Sequence, residues 1–74
     1  IPFVLAEDGF VRLEIFNLLG QRVRTLVASE MAAGQQSVVW DGLNEHGLSL
    51  TTGAYLFVLQ TGERRQTRKM HLVR

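Results

Sequence analysis

The sequence contains no cysteine, one proline, one tryptophan and one tyrosine in 74 residues, and its formal net charge is only +1. Each shortage closes off a class of protein. Without cysteine there is no disulfide framework and no thiolate metal site, which suits the cytosol and equally a surface protein that does without disulfides. The near-neutral balance creates no whole-molecule field to draw nucleic acid or an acidic partner. No run of about 18 apolar residues occurs, so no transmembrane helix is expected. The opening residues IPFVLAEDG lack the basic and apolar regions of a secretory leader. Entering a strand-like segment at once, the chain reads as one module excised from a longer protein. Helix signals are equally scarce. Residues 28–33, ASEMAA, are the only stretch with helix propensity, and six residues before Gly34 make one turn at most, so they are read as a loop.

What remains is strand. An apolar share of 46% is that of a globular chain, and the length allows a single domain over residues 1–74. A domain this small buries only about 60% of its extended-chain surface, which predicts modest stability. The organising stretch is 34–55, GQQSVVWDGLNEHGLSLTTGAY. Alternation sets Gln36, Val38 and Trp40 on one face of a strand over 35–40 and Gln35, Ser37 and Val39 on the other. Asp41 and Gly42 end that pattern, and Tyr55, Phe57 and Leu59 resume it in a second strand over 54–61. Trp40 and Tyr55 are the expected aromatic anchors.

Around this stretch lie further strands. Ile1, Phe3 and Leu5 alternate over 1–6, with Pro2 assigning that strand to an edge because it has no N–H. Val11, Leu13 and Ile15 against Arg12 and Glu14 form a half-buried strand over 10–16. NLLGQ (17–21) reads as a turn, with Gly20 supplying positive φ. A strand over 22–27 follows, with a bulge expected near Leu26. Thr61, Gly62 and Glu63 read as a hairpin connection into a last strand over 64–73, with Met70 and Leu72 inward and Lys69, His71 and Arg74 outward. Six to seven short strands without a helix predict a small antiparallel immunoglobulin-like β-sandwich, with an open barrel as the alternative.

Chemistry-bearing patterns are thin. His46 and His71 stand 25 residues apart with no serine or acid in a recognisable relation to both, so no catalytic residue is assigned and a non-enzyme is expected. The loop 41–47, DGLNEHG, offers oxygens but lacks the alternating acids of an EF-hand. Asp41 and Asn44 are expected to bond nearby backbone N–H groups instead, and no metal or cofactor is assigned. Five of the eight Lys and Arg lie in the last eleven residues. No aromatic residue interleaves with them for base stacking, so the run reads as an edge strand charged against aggregation rather than a nucleic-acid patch.

Taken in order, IPFVLAEDGFVRLEIFNLLGQRVRTLV, AAGQQSVVWDGLNEHGLSLTTGAYLFVLQTG and the terminal RKMHLVR resemble the C-terminal sorting domain of proteins exported by the bacterial type IX secretion system. They are also similar to the immunoglobulin-like domain of flagellar hook-capping proteins, which shares the W-D-G and later G-x-Y pattern. The resemblance implies a module that directs a covalently linked N-terminal passenger through the periplasm and across the outer membrane to the cell surface, with the secretion machinery as partner. It carries recognition onto Gly53 and Tyr55 in the penultimate strand and onto Lys69, Met70, Leu72 and Arg74 at the tail. Trp40, Asp41 and Gly42 carry over as framework. Gln36 departs from the histidine or aromatic residue usual there, and LNEHG is a looser version of the family's glycine-ended turn. The rival reading is an immunoglobulin-like spacer or carbohydrate-binding module of a multidomain extracellular hydrolase.

Overall fold

A computed structural model describes residues 1–62 and 64–73. Six strands follow one another: β1 (Pro2–Leu5), β2 (Gly9–Phe16), β3 (Arg22–Met31), β4 (Gly34–Ser37), β5 (Gly53–Thr61) and β6 (Arg64–Leu72). No helix occurs among the described residues. All pairings are antiparallel, in a four-stranded sheet of order β3-β2-β5-β6 and a two-stranded sheet of β1 with β4. The smaller sheet covers part of one face of the larger, giving the expected immunoglobulin-like sandwich in an asymmetric form.

The core follows from period-two patterning. Leu13 faces Leu59 and Ile15 faces Phe57 across β2 and β5, and directly opposed residues share a face. Val11, Leu13 and Ile15 are the most deeply buried side chains. Leu5 of β1 joins Val11, Leu13 and Leu59 in the central cluster, with Ile1, Phe3, Val38 and Phe57 packed against it. The inward alternation of Ile1, Phe3 and Leu5 is therefore as expected, and β1 pairs on one side only, where Pro2 costs no ladder bond.

The bulge expected near Leu26 is present. Leu13 pairs with Val27 and Glu14 with Thr25, leaving Leu26 as the extra residue, and a second irregularity skips Val23. A bulge lets consecutive side chains turn to the same side. Leu26 and Val27, neighbours in sequence, both pack against the core.

Two boundaries differ from the sequence expectation. Residues 28–31 are not a loop but the continuation of β3, which pairs through Ala28, Ser29, Glu30 and Met31 with β2 as far back as Gly9. The partner strand, not local propensity, sets that length. Conversely, the strand expected over 35–40 is regular only as β4 (Gly34–Ser37). Val38 still exchanges both backbone bonds with Ile1, at 3.0 and 2.6 Å, and the regular ladder does not extend to Val39 and Trp40. Their alternation nonetheless holds: Gln36, Val38 and Trp40 are half-buried, while Gln35, Ser37 and Val39 are exposed.

The turn 17–21 is as read from NLLGQ. The Asn17 carboxamide oxygen accepts from the N–H groups of Leu19 (2.9 Å) and Gln21 (3.0 Å), and its amide donates to Gln21 Oε1 (2.8 Å). Gly20 closes the turn at φ 83°, a left-handed conformation that costs a residue with a Cβ roughly 1–2 kcal/mol.

Candidate functional site

The residues carried over as a recognition set come from two strands that form one ladder. In the β5–β6 register Gly53 lies opposite Leu72, Tyr55 opposite Met70 and Leu56 opposite Lys69. Gly53, Tyr55, Lys69, Met70 and Leu72 thus gather at one end of the sheet. Arg74 lies outside the described residues, as does Glu63 of the β5–β6 connection.

Tyr55 anchors this end. Its side chain is only 6% exposed, and its hydroxyl donates to the Thr51 carbonyl, four residues back, at 2.7 Å. A tyrosine bonding backward to the preceding corner is a recurrent fastening in immunoglobulin-like sandwiches. Trp40 meets Tyr55 edge-on, with ring centroids 5.4 Å apart and planes at 75°. The indole N–H donates to the Leu43 carbonyl at 3.0 Å. Trp40 is half-buried rather than deep in the core. The two rings tie the loop 41–52 to the first turn of β5, and Tyr55 contributes to the site as framework, not as an exposed contact.

The loop spends its polar groups on itself and on β3. The Asp41 carboxylate accepts from Leu43 N–H (3.0 Å) and from the Arg24 guanidinium (3.2 Å). The Asn44 side-chain oxygen accepts from the N–H groups of His46 (2.9 Å) and Leu48 (3.0 Å). These are the local backbone bonds expected of Asp41 and Asn44. Arg24 also donates to the carbonyls of Leu43 (3.1 Å) and Asn44 (3.4 Å). Glu45 N–H donates to Val23 C=O at 3.0 Å, and the Glu45 carboxylate accepts from Thr25 N–H. Arg24 was not singled out from the sequence. Its partners lie 17 to 20 residues away, and its place in a bulged strand hides which way it points.

β6 is the free edge of the larger sheet. Its alternation splits the cations between two faces. Arg64, Gln66 and Arg68 lie opposite Thr61, Leu59 and Phe57, on the core-side face, whereas Arg65, Lys69 and His71 lie opposite Gln60, Leu56 and Ala54, on the outer face. All six are exposed, while Met70 and Leu72 are half-buried. The inward placement of Met70 and Leu72 and the outward placement of Lys69 and His71 agree with the alternation. Among the described residues the ion pairs are Arg22 with Glu14 and Arg24 with Asp41, so none involves β6.

No cluster of three or more metal-ligating side chains occurs among the described residues. His46 is exposed on the loop and His71 on β6. No helix of the described residues is long and apolar enough to cross a membrane. The arrangement offers an exposed cationic edge strand whose register is pinned from behind by a buried tyrosine. Its chemistry is that of backbone pairing and charge contact.

Residues 5–64 match the family model described as the FlgD Ig-like domain. No curated protein and no solved structure matches the chain.

Proposed function

The chain belongs to the FlgD Ig-like domain family, and from that premise we propose that it is a non-enzymatic C-terminal signal module of a larger secreted protein. It directs a passenger across the outer membrane and to attachment at the cell surface. A receptor serving many cargoes must read a surface independent of the passenger. A terminal edge strand offers unpaired backbone groups and side chains at alternate positions for that purpose. The observation that carries the reading is the β5–β6 ladder. Lys69 is exposed on its outer face, while Met70 opposite the buried Tyr55 holds the tail in register. Lys69 and Arg74 supply orienting charge, and Met70 and Leu72 supply packing. The partner is the outer-membrane secretion machinery, reached by way of the periplasm.

Sugar recognition would require exposed, coplanar aromatic faces. Trp40 and Tyr55 stand at 75° to each other, with Tyr55 buried, which weighs against a carbohydrate platform there and leaves the plain spacer as the rival. A fluorescent passenger fused to residues 1–74 separates the two in a bacterium with a type IX system. Companion fusions end at Thr67 or carry Lys69→Glu, and Trp40 emission verifies folding. Export of the full fusion with retention of both companions in the periplasm is expected. A folded full fusion that stays in the periplasm refutes the sorting role and leaves the spacer.

A further inference from the structure

The two sheets are unequal, and the inequality leaves an opening. The β1–β4 pair covers the inner face over β2, part of β5 and the Leu26–Val27 bulge of β3. It does not cover β6, whose inner-face residues Arg64, Gln66 and Arg68 are exposed. Between β1 and β6 runs an open cleft of about 1420 Å³, floored by Phe57, Leu59 and Met70 and walled by those three β6 residues. One strand residue in a stacked sheet occupies roughly 160 Å³, from a 3.3 Å rise, 4.8 Å between strands and 10 Å between sheets. The cleft therefore has room for a further extended segment.

The upper margin of the cleft is a free sheet edge. β1 pairs with β4 on one side and has no strand on the other among the described residues. Ile1 and Val38 exchange both backbone bonds, and in an antiparallel ladder such exchanging pairs recur at every second residue. The backbone groups of Phe3 and Leu5 thus turn to β4, and those of Pro2 and Val4 turn to the cleft. Pro2 has no N–H, so this edge presents the Val4 N–H and the carbonyls of Pro2 and Val4. Val4 is 72% exposed.

The charge of the wall selects the occupant. Arg64 and Arg68 point into the cleft two residues either side of Gln66, and no described ion pair engages them. Glu7 and Asp8 line the end at the β1–β2 turn, where Asp8 already accepts from Ala33 N–H at 2.7 Å. We propose that this cleft is a strand-acceptor site for an extended acidic segment of a partner protein, which pairs with the free edge of β1 and sets carboxylates against Arg64 and Arg68. Alternate side chains of such a segment face the same way. Acids four residues apart on the face toward the larger sheet meet Arg64 and Arg68. This surface is distinct from the outer face bearing Lys69, so its occupancy does not depend on the sorting role.

The test uses the 74-residue chain and two blocked, dye-labelled nonapeptides, one alternating Glu with Val and one alternating Lys with Val, read by fluorescence anisotropy and by the amide resonance of Val4. Saturable binding of the Glu-Val peptide is expected, with the Val4 amide shifted and slowed in hydrogen exchange. Arg64→Glu combined with Arg68→Glu weakens it by about tenfold or more. Val4→Pro, which removes the donor on the cleft side only, does the same without altering the charge. Equal affinity for the Lys-Val peptide overturns the proposal, as does absence of saturation at about millimolar peptide. Protection of the Val4 amide through self-association of the chain without peptide also overturns it, assigning the cleft to a second copy.

Discussion

Removing one oxygen atom tests how the Gly53–Leu72 end of the β5–β6 ladder is held. Tyr55→Phe keeps the ring that meets Trp40 and deletes the bond to the Thr51 carbonyl. The net worth of such a bond is about 0.5–1.5 kcal/mol. The upper penalties, for a fully buried stranded acceptor, do not apply because the bond is only partly buried, at an exposed residue. About 1 kcal/mol is therefore expected, which lowers Tm by roughly 4–8 °C in a domain of this size. Urea unfolding followed by Trp40 emission and by far-ultraviolet circular dichroism measures it, and the slope should not change because the same surface is exposed on unfolding. The edge-on Trp40–Tyr55 contact supplies roughly 0.5–1.5 kcal/mol beyond area and survives in the Phe variant, whereas Tyr55→Ala loses ring and bond together at about 3–5 kcal/mol. That larger loss approaches the whole stability of roughly 4–11 kcal/mol expected for 74 residues. A Tyr55→Phe variant indistinguishable from the parent would show that the corner bond contributes nothing in solution. A loss above about 3 kcal/mol would show that deleting the hydroxyl leaves the Thr51 carbonyl sealed from water.

Two further substitutions probe the elements that position this end. Gly20→Ala meets no atom within 4 Å but must adopt φ near +83°, so it costs about 1–2 kcal/mol by backbone strain alone; a melting temperature equal to that of the parent would contradict the turn. Arg24→Met removes the donor shared by Asp41, Leu43 and Asn44. It should open the loop 41–52 to limited proteolysis several times faster, at about 1–3 kcal/mol of stability. Unchanged cleavage would mean that the backbone bond from Glu45 to Val23 holds the loop by itself.

Much of the fold was legible because its signals are local. The alternations in 1–5, 10–16 and 54–59 identify core faces directly, since a strand can bury only every second residue. The Asn17–Gly20 turn and the bonding of Asp41 and Asn44 depend on groups within four residues of each other. The extension of β3 to Met31 and the early end of β4 were not legible, because each is set by a partner elsewhere in the chain. β2 offers pairing as far as Gly9, while β1 pairs regularly with β4 only over Gly34–Ser37.

The same division governs the candidate site. The sequence by itself determined an all-β domain, its inward and outward residues, the cationic last strand and the membership that rests on their order. Tertiary structure alone decided that Gly53 faces Leu72 and Tyr55 faces Met70, that Tyr55 is buried and bonded back to Thr51, and that Arg24 gathers the loop. It also decided that a two-stranded sheet lies over a four-stranded one, leaving the inner face of β6 open. Periodicity tells which way a side chain points relative to its own strand. It carries no account of which strand lies across from it, because pairing is chosen by the summed burial of distant segments.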